Sequence, residues 1–340
     1  MTNIRAVAKQ AGVSIATVSR VLNNTPGVGE KVREAVLAAV NRAGYSPEIG
    51  RRSTSNVALL YTAEVTLDSP FDAALVDGVF SGLDGSGADL LLLGARRSRR
   101  PGESLTQMLV RKGVQGALLR TTTESQALCR EAAAEGVAVV VVGSRPDDPG
   151  LHCIHSDSGP ASREAVEHLL ALGHRRIAFG AHVVDDSDHA DRLAGYRAAL
   201  AGRGVASDDG LVVRATADRA GGVQVVRRIA ATAPRPTAVY LADPLMTIGA
   251  LQEARRLGLR VPDELSIIGF DDGELRHALA PRPSAVCQDA VVLGRKAAAM
   301  LLDVLADRPQ PPRREVLPCW FEIHETTSPC PAGHPTKEES

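Results

Sequence analysis

Two different spacings of apolar residues divide the chain. Over residues 3–44 the spacing is helical: Ile4, Val7, Ala8 and Ala11 fall at i, i+3, i+4 and i+7 in one stripe, with Asn3 placed to cap the first turn. Gly12-Val13 breaks that helix, glycine supplying the backbone freedom of a tight corner. Ser14 is the expected N-cap of a second helix, whose inward stripe is Val18, Val21 and Leu22. A third is predicted over about 30–43, with Val32, Ala35, Val36, Ala39 and Val40 inward and Gly44 as its stop. Two helices joined by a short Gly-containing turn and braced by a third form a helix-turn-helix arrangement.

From Val57 onward, short continuous apolar runs alternate with helical stretches. The runs predict strands at Val57–Thr62, Asp89–Gly94, Gly116–Arg120, Ala138–Gly143, Arg176–Gly180, Leu211–Arg214, Thr237–Ala242, Ser266–Phe270 and Ser284–Cys287. Such alternation implies parallel sheets covered by helices on both faces. The Val-rich run from Val137 to Val142 has the composition of a central parallel strand. About ten strands suit two sheets better than one, and ligands in such folds sit at the carboxyl ends of strands, naturally in a cleft between two lobes. The expected fold class is therefore α/β, a small all-α head joined to a two-lobed body with parallel sheets.

A chain of 340 residues has room for roughly two domains of about 150 residues each. Apolar residues at 44% and charged residues at 23% exclude a disordered or fibrous class. No apolar run approaches the roughly 18 residues of a spanning helix, and the N-terminus lacks an apolar h-region. Cys129, Cys153, Cys287, Cys319 and Cys330 form no C-x-x-C pair, so neither a zinc ribbon nor a disulfide framework is suggested and a cytoplasmic location is expected. The net charge of −1 conceals a split. Residues 1–53 carry eight Lys/Arg against three Glu, a net of +5, and the remainder carries −6. A basic head on an acidic body suits a polyanion-binding module, although chance clustering of surface charge gives the same totals.

The outward face of the second helix narrows the choice. Ser14, Ile15, Ala16, Thr17, Ser19, Arg20 and Asn23 are mostly small or hydrogen-bonding. Small side chains let a helix approach base edges, Ser, Thr and Asn reach phosphates or bases, and Arg suits guanine. An ordinary three-helix packing module with a solvated face is the alternative. The stretch Ile4-Arg5-Ala6-Val7-Ala8-Lys9-Gln10-Ala11-Gly12-Val13-Ser14-Ile15-Ala16-Thr17-Val18-Ser19-Arg20-Val21-Leu22-Asn23 closely resembles the DNA-binding signature of the lactose-repressor (LacI/GalR) family. Val28, Arg33, Ala39 and Tyr45-Ser46-Pro47 continue the match. The resemblance implies that Ile15 and Ala16 are the variable pair that reads bases, with Arg20 a further base reader. Ser14, Thr17, Ser19 and Asn23 would bind the phosphate backbone, with Ile4 and Tyr45 in the same DNA-binding set.

The linker departs from that family. After Tyr-x-Pro the family has a hinge helix whose Leu wedges into the minor groove, an apolar kinking device. Here Ser46 to Asn56 is about five residues shorter than usual and lacks the Leu, and Gly50 with the polar Ser/Thr/Asn run is poor helix material. Three readings stay open: Ile49 replaces the wedge, Arg51 and Arg52 anchor the linker on DNA, or the segment is a plain flexible linker.

Segments of the body resemble the effector domain of the same family, which is shaped like periplasmic sugar-binding proteins. They are Ser69-Pro70-Phe71, Glu167-His168-Leu169-Leu170-Ala171-Leu172-Gly173-His174-Arg175-Arg176-Ile177-Ala178, Arg192-Leu193-Ala194-Gly195-Tyr196, Pro236-Thr237-Ala238-Val239, Ile268-Gly269-Phe270-Asp271-Asp272 and Gln288-Asp289. The resemblance implies three crossings between lobes. The expected domains are a DNA-binding head at 1–46, a shortened linker at 47–56 and an effector-binding and dimerisation body at 57–328. Lobe one is placed at 57–157 plus 290–315, lobe two at 158–289 plus 316–328, and a disordered tail at 329–340.

By the same resemblance, Phe71, Asp72, Arg192, Asp271 and Gln288 form the effector pocket; charged groups such as Arg192 and Asp271 can hydrogen-bond sugar hydroxyls bidentately. Ala242 stands where the family often has Asn, and Ala217 where it often has a stacking aromatic. With aromatics at only 3%, a small or charged effector stands level with a sugar. The run Asp185-Asp186-Ser187-Asp188-His189-Ala190-Asp191 lacks the ligand spacing of an EF-hand and reads as a solvated acidic loop. His152-Cys153-Ile154-His155 mimics a metal cluster but leads into a strand, where neighbours face opposite sides. Neither metal nor cofactor is expected. No G-x-S-x-G, G-x-x-x-x-G-K-[ST] or H-E-x-x-H motif is present, and Gly85-Ser86-Gly87 follows a helix and lacks a third Gly, so an enzyme is not expected. The expectation is a cytoplasmic, homodimeric regulator of transcription, a repressor that binds double-stranded operator DNA under control of a small-molecule effector.

Overall fold

The computed structural model describes residues 4–22, 28–43, 55–62, 69–120, 126–184, 186–271, 273–306 and 311–331. The head is three helices, α1 (Ile4–Ala11), α2 (Ile15–Leu22) and α3 (Glu30–Ala43). Their shared core is Val7, Ala8, Val18, Val21, Val36, Ala39 and Val40, with Ile4, Ala11, Val28 and Val32 packed against it. Gly12 takes φ +67° at the corner, and the Ser14 hydroxyl accepts the Thr17 N–H at 3.0 Å, capping α2. Ala35, expected inward, is exposed. With Val36, Ala39 and Val40 holding the contact, Leu37 fills the flank and the helical period turns Ala35 outward. Asn3 and Gly44 lie outside the described residues.

The body opens with β1 (Val57–Tyr61), α4 (Pro70–Leu83), β2 (Leu90–Gly94), α5 (Ala95–Ser98), α6 (Leu105–Lys112), β3 (Gly116–Arg120), α7 (Gln126–Glu135), β4 (Val139–Val142) and β5 (His152–Asp157). It continues through α8 (Gly159–Ala171), β6 (Ile177–His182), α9 (Ser187–Gly202), β7 (Val212–Ala215), α10 (Arg219–Ala231), β8 (Ala238–Leu241), α11 (Pro244–Arg256), β9 (Ser266–Asp271) and β10 (Ser284–Cys287). It closes with α12 (Ala290–Leu305), β11 (Arg314–Pro318) and β12 (Trp320–Glu322). Two six-stranded sheets result, ordered β2-β1-β3-β4-β5-β11 and β7-β6-β8-β9-β10-β12. All pairings are parallel except that of β12 with β10.

Each continuous apolar run serves two cores. Leu59, Leu118, Val140 and Val142 face α4 and α12, while Ala58, Leu60, Ala117, Leu119 and Val141 face α6 and α7. In the second sheet Phe179, Tyr240 and Ile268 face α8 and α9, and Ala178, Val239 and Ile267 face α10 and α11. The α4–α12 contact is backbone-close: a Cβ on Gly78 would lie 2.0 Å from the Val291 carbonyl oxygen, and one on Gly294 2.2 Å from that of Leu75.

Three strands were not expected where they are. β5 begins at His152 itself, with Cys153 and Ile154 on opposite faces, and β11 and β12 carry no continuous apolar run. β11 belongs to the first sheet through Pro318, so the chain crosses to the second sheet at Cys319 rather than at 315/316. Its neighbour β5 supplies the pairing that polar Arg314 and Glu315 do not advertise. The tail expected to be disordered from 329 instead starts packed: the Cys330 N–H donates to the Leu172 carbonyl at 2.8 Å, and the His174 Nε2 meets the Ser328 carbonyl at 3.0 Å. Residues 332–340 lie outside the described residues.

Candidate functional site

Strand order dictates where a cleft forms. The connection leaving β1 goes to β2 on one side, and β3 lies on the other; in the second sheet β6 stands likewise between β7 and β8. Helices at these reversals run to opposite faces, which opens a crevice above the carboxyl ends of the flanking strands. Tyr61 and Arg120 end β1 and β3, His182 ends β6, and Ala242 follows β8. The helices after β1 and β6 bring Phe71 and Asp72 on α4, and Asp188 and Arg192 on α9.

On the first sheet's side, Arg120 Nε lies 3.3 Å from Asp72 Oδ1, and its guanidinium sits 4.5 Å from the centre of the Phe71 ring. Burial, then the Asp72 charge, raises the Tyr61 hydroxyl well above the ordinary range. On the second sheet's side, Arg192 is 5% exposed, donates to the Ala242 carbonyl at 2.5 Å, and lies 3.6 Å from the Phe270 ring centre. Burial pushes the Asp188 carboxyl up to about 6 despite the opposing pull of Arg192. Burial opposes the charge on Arg120, but Asp72 first, then Asp188 and Asp186, raise its pKa. The charges of the two sides thus act on one another across the crevice.

Arg192 and Asp271 each have a separate setting. Asp271 Oδ2 accepts from Arg276 Nη1 at 2.8 Å and from the Arg276 N–H at 3.1 Å, while Oδ1 accepts from the Gly273 N–H at 3.3 Å. Arg276 also forks onto Glu322 at 2.8 and 2.9 Å, and its cation holds the Glu322 carboxyl at about 2. Gln288 is buried, and its N–H donates to the Asp271 carbonyl at 3.0 Å. Tyr61, Arg120 and Arg276 were not expected at the site. A charge ending the apolar run Gly116–Arg120 was the available signal for Arg120; nothing local marks Arg276.

The acidic run is not a solvated loop. Asp186 caps α9 by accepting the His189 N–H at 2.8 Å, Asp188 is buried, and Asp191 takes a fork from Arg145 at 2.6 and 2.7 Å. Packing α9 under the cleft buries Asp188 and gives Asp186 and Asp191 their partners. The Arg145–Asp191 pair also ties the first sheet's β4–β5 connection to α9. Asp185 and Asp272 lie outside the described residues.

On the head, Ile15 is 44% exposed at the start of α2, and Ala16 and Arg20 are exposed on the same helix. Ser14 and Thr17 hydroxyls lie 2.8 Å apart, and Ser19 is partly buried. Asn23, Tyr45, Ile49, Arg51 and Arg52 lie outside the described residues.

The pattern described as bacterial regulatory proteins of the lacI family matches residues 3–48, and that of a periplasmic binding protein-like domain matches residues 166–327. The HTH-type transcriptional regulator CelR of Thermobifida fusca is 32% identical over 333 residues, spanning 95% of this chain and 97% of that protein. The chain belongs to the lacI family of bacterial regulatory proteins. GalR of Escherichia coli (strain K12), also an HTH-type transcriptional regulator, is 30% identical over 334 residues, 97% of each chain. Among solved structures, a complex of the regulator CelR with cellobiose superposes with a TM-score of 0.73 at 32% identity, covering 96% of this chain and 100% of that one. The lac repressor dimer bound to operator and the anti-inducer ONPF gives 0.68 at 25% identity, covering 95% and 98%. This lacI-family chain is a transcriptional regulator, a helix-turn-helix head on a periplasmic-binding-protein-like body. No helix among the described residues is long and apolar enough to cross a membrane.

Proposed function

We propose that this lacI-family regulator is a cytoplasmic, homodimeric repressor without catalytic activity, whose hold on a two-fold-symmetric operator is set by a small polar metabolite bound between the lobes. Charged side chains from both sheets meeting over one crevice carry this reading: Asp72 and Arg120 from one side, Asp188 and Arg192 from the other. Closing the lobes on a ligand brings those charges together, and opening separates them. An effector therefore shifts the equilibrium by its affinity difference between the two arrangements.

In the head, Ile15, Ala16 and Arg20 read base edges, and Ser14, Thr17, Ser19 and Asn23, with Ile4 and Tyr45, hold the backbone. In the cleft, Phe71, Asp72, Arg192, Asp271 and Gln288 take the effector. A guanidinium already lies over one face of each phenyl ring there, Arg120 on Phe71 and Arg192 on Phe270, which favours recognition by hydrogen bonds over ring stacking. Phe80, 54% exposed on α4, and Leu92, exposed on β2, are apolar surface that a second copy would cover. The domain division is a head at 1–46, a linker at 47–56 and a body at 57–328 that crosses between lobes after Asp157, after Asp289 and at Cys319.

The test is to select bound sites from random duplex DNA and then screen metabolites for release. Arg192→Ala and Asp271→Ala should leave operator affinity within a few-fold and blunt the response to the releasing compound. Loss of DNA binding by an intact dimer would make both residues structural couplers and refute their role in the cleft.

A further inference from the structure

We infer that His182, Asp186 and His189 form a binding site for a divalent transition-metal ion of borderline softness, Zn2+ foremost, at the edge of the cleft. One ligand atom from each residue lies within 4.8 Å of the other two, which no other group among the described residues achieves. The three come from one strand–turn–helix unit: His182 ends β6, Asp186 caps α9 and His189 sits in its first turn. Asp186 and His189 share a helix face, and the two imidazole rings are 5.0 Å apart between centres.

A second observation points to a ligand. His182 Nδ1 and His189 Nε2 are both shut off from solvent, and neither has a hydrogen-bond partner among the described residues. Buried imidazole nitrogens are ordinarily paired, and a lone pair in such a place is what a metal ion satisfies. His189 Nδ1 meets the Asp186 carboxylate at 2.8 and 2.9 Å, a contact that must open for both side chains to reach one ion.

The surrounding charge suits a cation. Asp218 and Asp243 act on His182 along with Asp186. The helix N-termini meeting here would oppose a cation, but Asp186, Asp218 and Asp243 cap α9, α10 and α11 with a carboxylate each. Two nitrogens and one oxygen leave a fourth position for water, the donor set of an open zinc site. Tetrahedral coordination wants donor atoms roughly 3.4 Å apart, so the three side chains must turn inward from the 4.8 Å limit within which they lie. Any proton that must leave goes to solvent. Arg192 lies one turn beyond His189 on α9, which joins the ion to the element lining the cleft.

The experiment uses the full untagged chain, stripped with chelator and titrated with Zn2+ against a chromophoric competitor, with bound metal measured after dialysis. The expected result is one ion per chain at micromolar affinity or tighter, weakened at least tenfold by His182→Gln and by His189→Gln. The Cys319→Ser/Cys330→Ser variant should bind as the parent does. X-ray absorption of the zinc-loaded parent should show histidine nitrogen and no sulfur, a readout that needs no variant to fold. Stoichiometry below a tenth, sulfur ligation, or affinity indifferent to both histidine changes overturns the site. None of these readouts depends on which metabolite, if any, releases the operator.

Discussion

Asp188→Asn should make the second lobe more stable at neutral pH, by an amount that grows with pH. The carboxyl is buried on α9, and burial holds it at about 6. In the unfolded chain an Asp titrates near 3.9, so the shift of about two units corresponds to about 3 kcal/mol at about 1.4 kcal/mol per unit. With the folded value above the unfolded one, the native state holds more protons than the unfolded chain between about pH 4 and pH 6. Stability contributed by Asp188 is therefore present at low pH and lost as pH rises through 6. Asn keeps the shape without the titration. Between pH 5 and pH 8 the variant's advantage should grow by about 1.4 kcal/mol, most of it below pH 7. The attraction of Arg192 and Arg120 is already contained in the value near 6, and groups titrating in both proteins cancel in the difference. The assay is urea unfolding at several pH values, followed by the fluorescence of Trp320. It is the only tryptophan and lies in β12 of the second sheet, so it reports the lobe that contains α9. A difference that stays flat from pH 5 to pH 8, or one that shrinks, would refute the burial argument for Asp188.

Other perturbations probe the head, the linker and the helix packing. Arg20→Ala should weaken specific binding by about 1–3 kcal/mol and relax one base position per half-site, and exchanging Ile15 and Ala16 should change the selected sequence without abolishing binding. An unchanged motif in both variants would place recognition elsewhere. Replacing Arg51 and Arg52 with Ala should lower affinity at all sequences and reduce the log–log salt slope by about 2 per head, with Ile49→Ala mattering less. A sharp central kink in the operator, abolished by Ile49→Ala, would show a surviving wedge instead. Gly294→Ala should lower stability by about 1–3 kcal/mol in calorimetry, because its Cβ would lie 2.2 Å from the Leu75 carbonyl oxygen and must drive α12 from α4. Gly29→Ala, with no atom of the described residues within 4 Å of the added Cβ, is the control.

What the sequence determined by itself is whatever rests on local periodicity. The 3.6-residue stripes of the head set α1 to α3 and the buried core they share, with Ala35 the inward position that the structure instead exposes, because each helix buries one face whatever its neighbours are. The apolar runs set nine strands, because a parallel strand covered on both faces has to be continuously apolar. The candidate positions Phe71, Asp72, Arg192, Asp271 and Gln288 were legible through the family resemblance, and the structure buries all five.

The tertiary structure decided the partners. Arg120 meets Asp72 across 48 residues, Arg145 meets Asp191 across 46, and Arg276 joins Asp271 to Glu322 across 46. No periodicity encodes those separations, since a charge's partner depends on which strand ends the topology sets side by side. The same holds for β11 and β12, edge strands whose pairing comes from β5 and β10 and not from their own composition. The acidic run shows the difference most directly. Its residues read as solvent-seeking in one dimension, but packing α9 beneath the cleft buries Asp188, gives Asp191 a cation and sets Asp186 beside two histidines. Charge is local, whereas burial is decided by everything that packs around it.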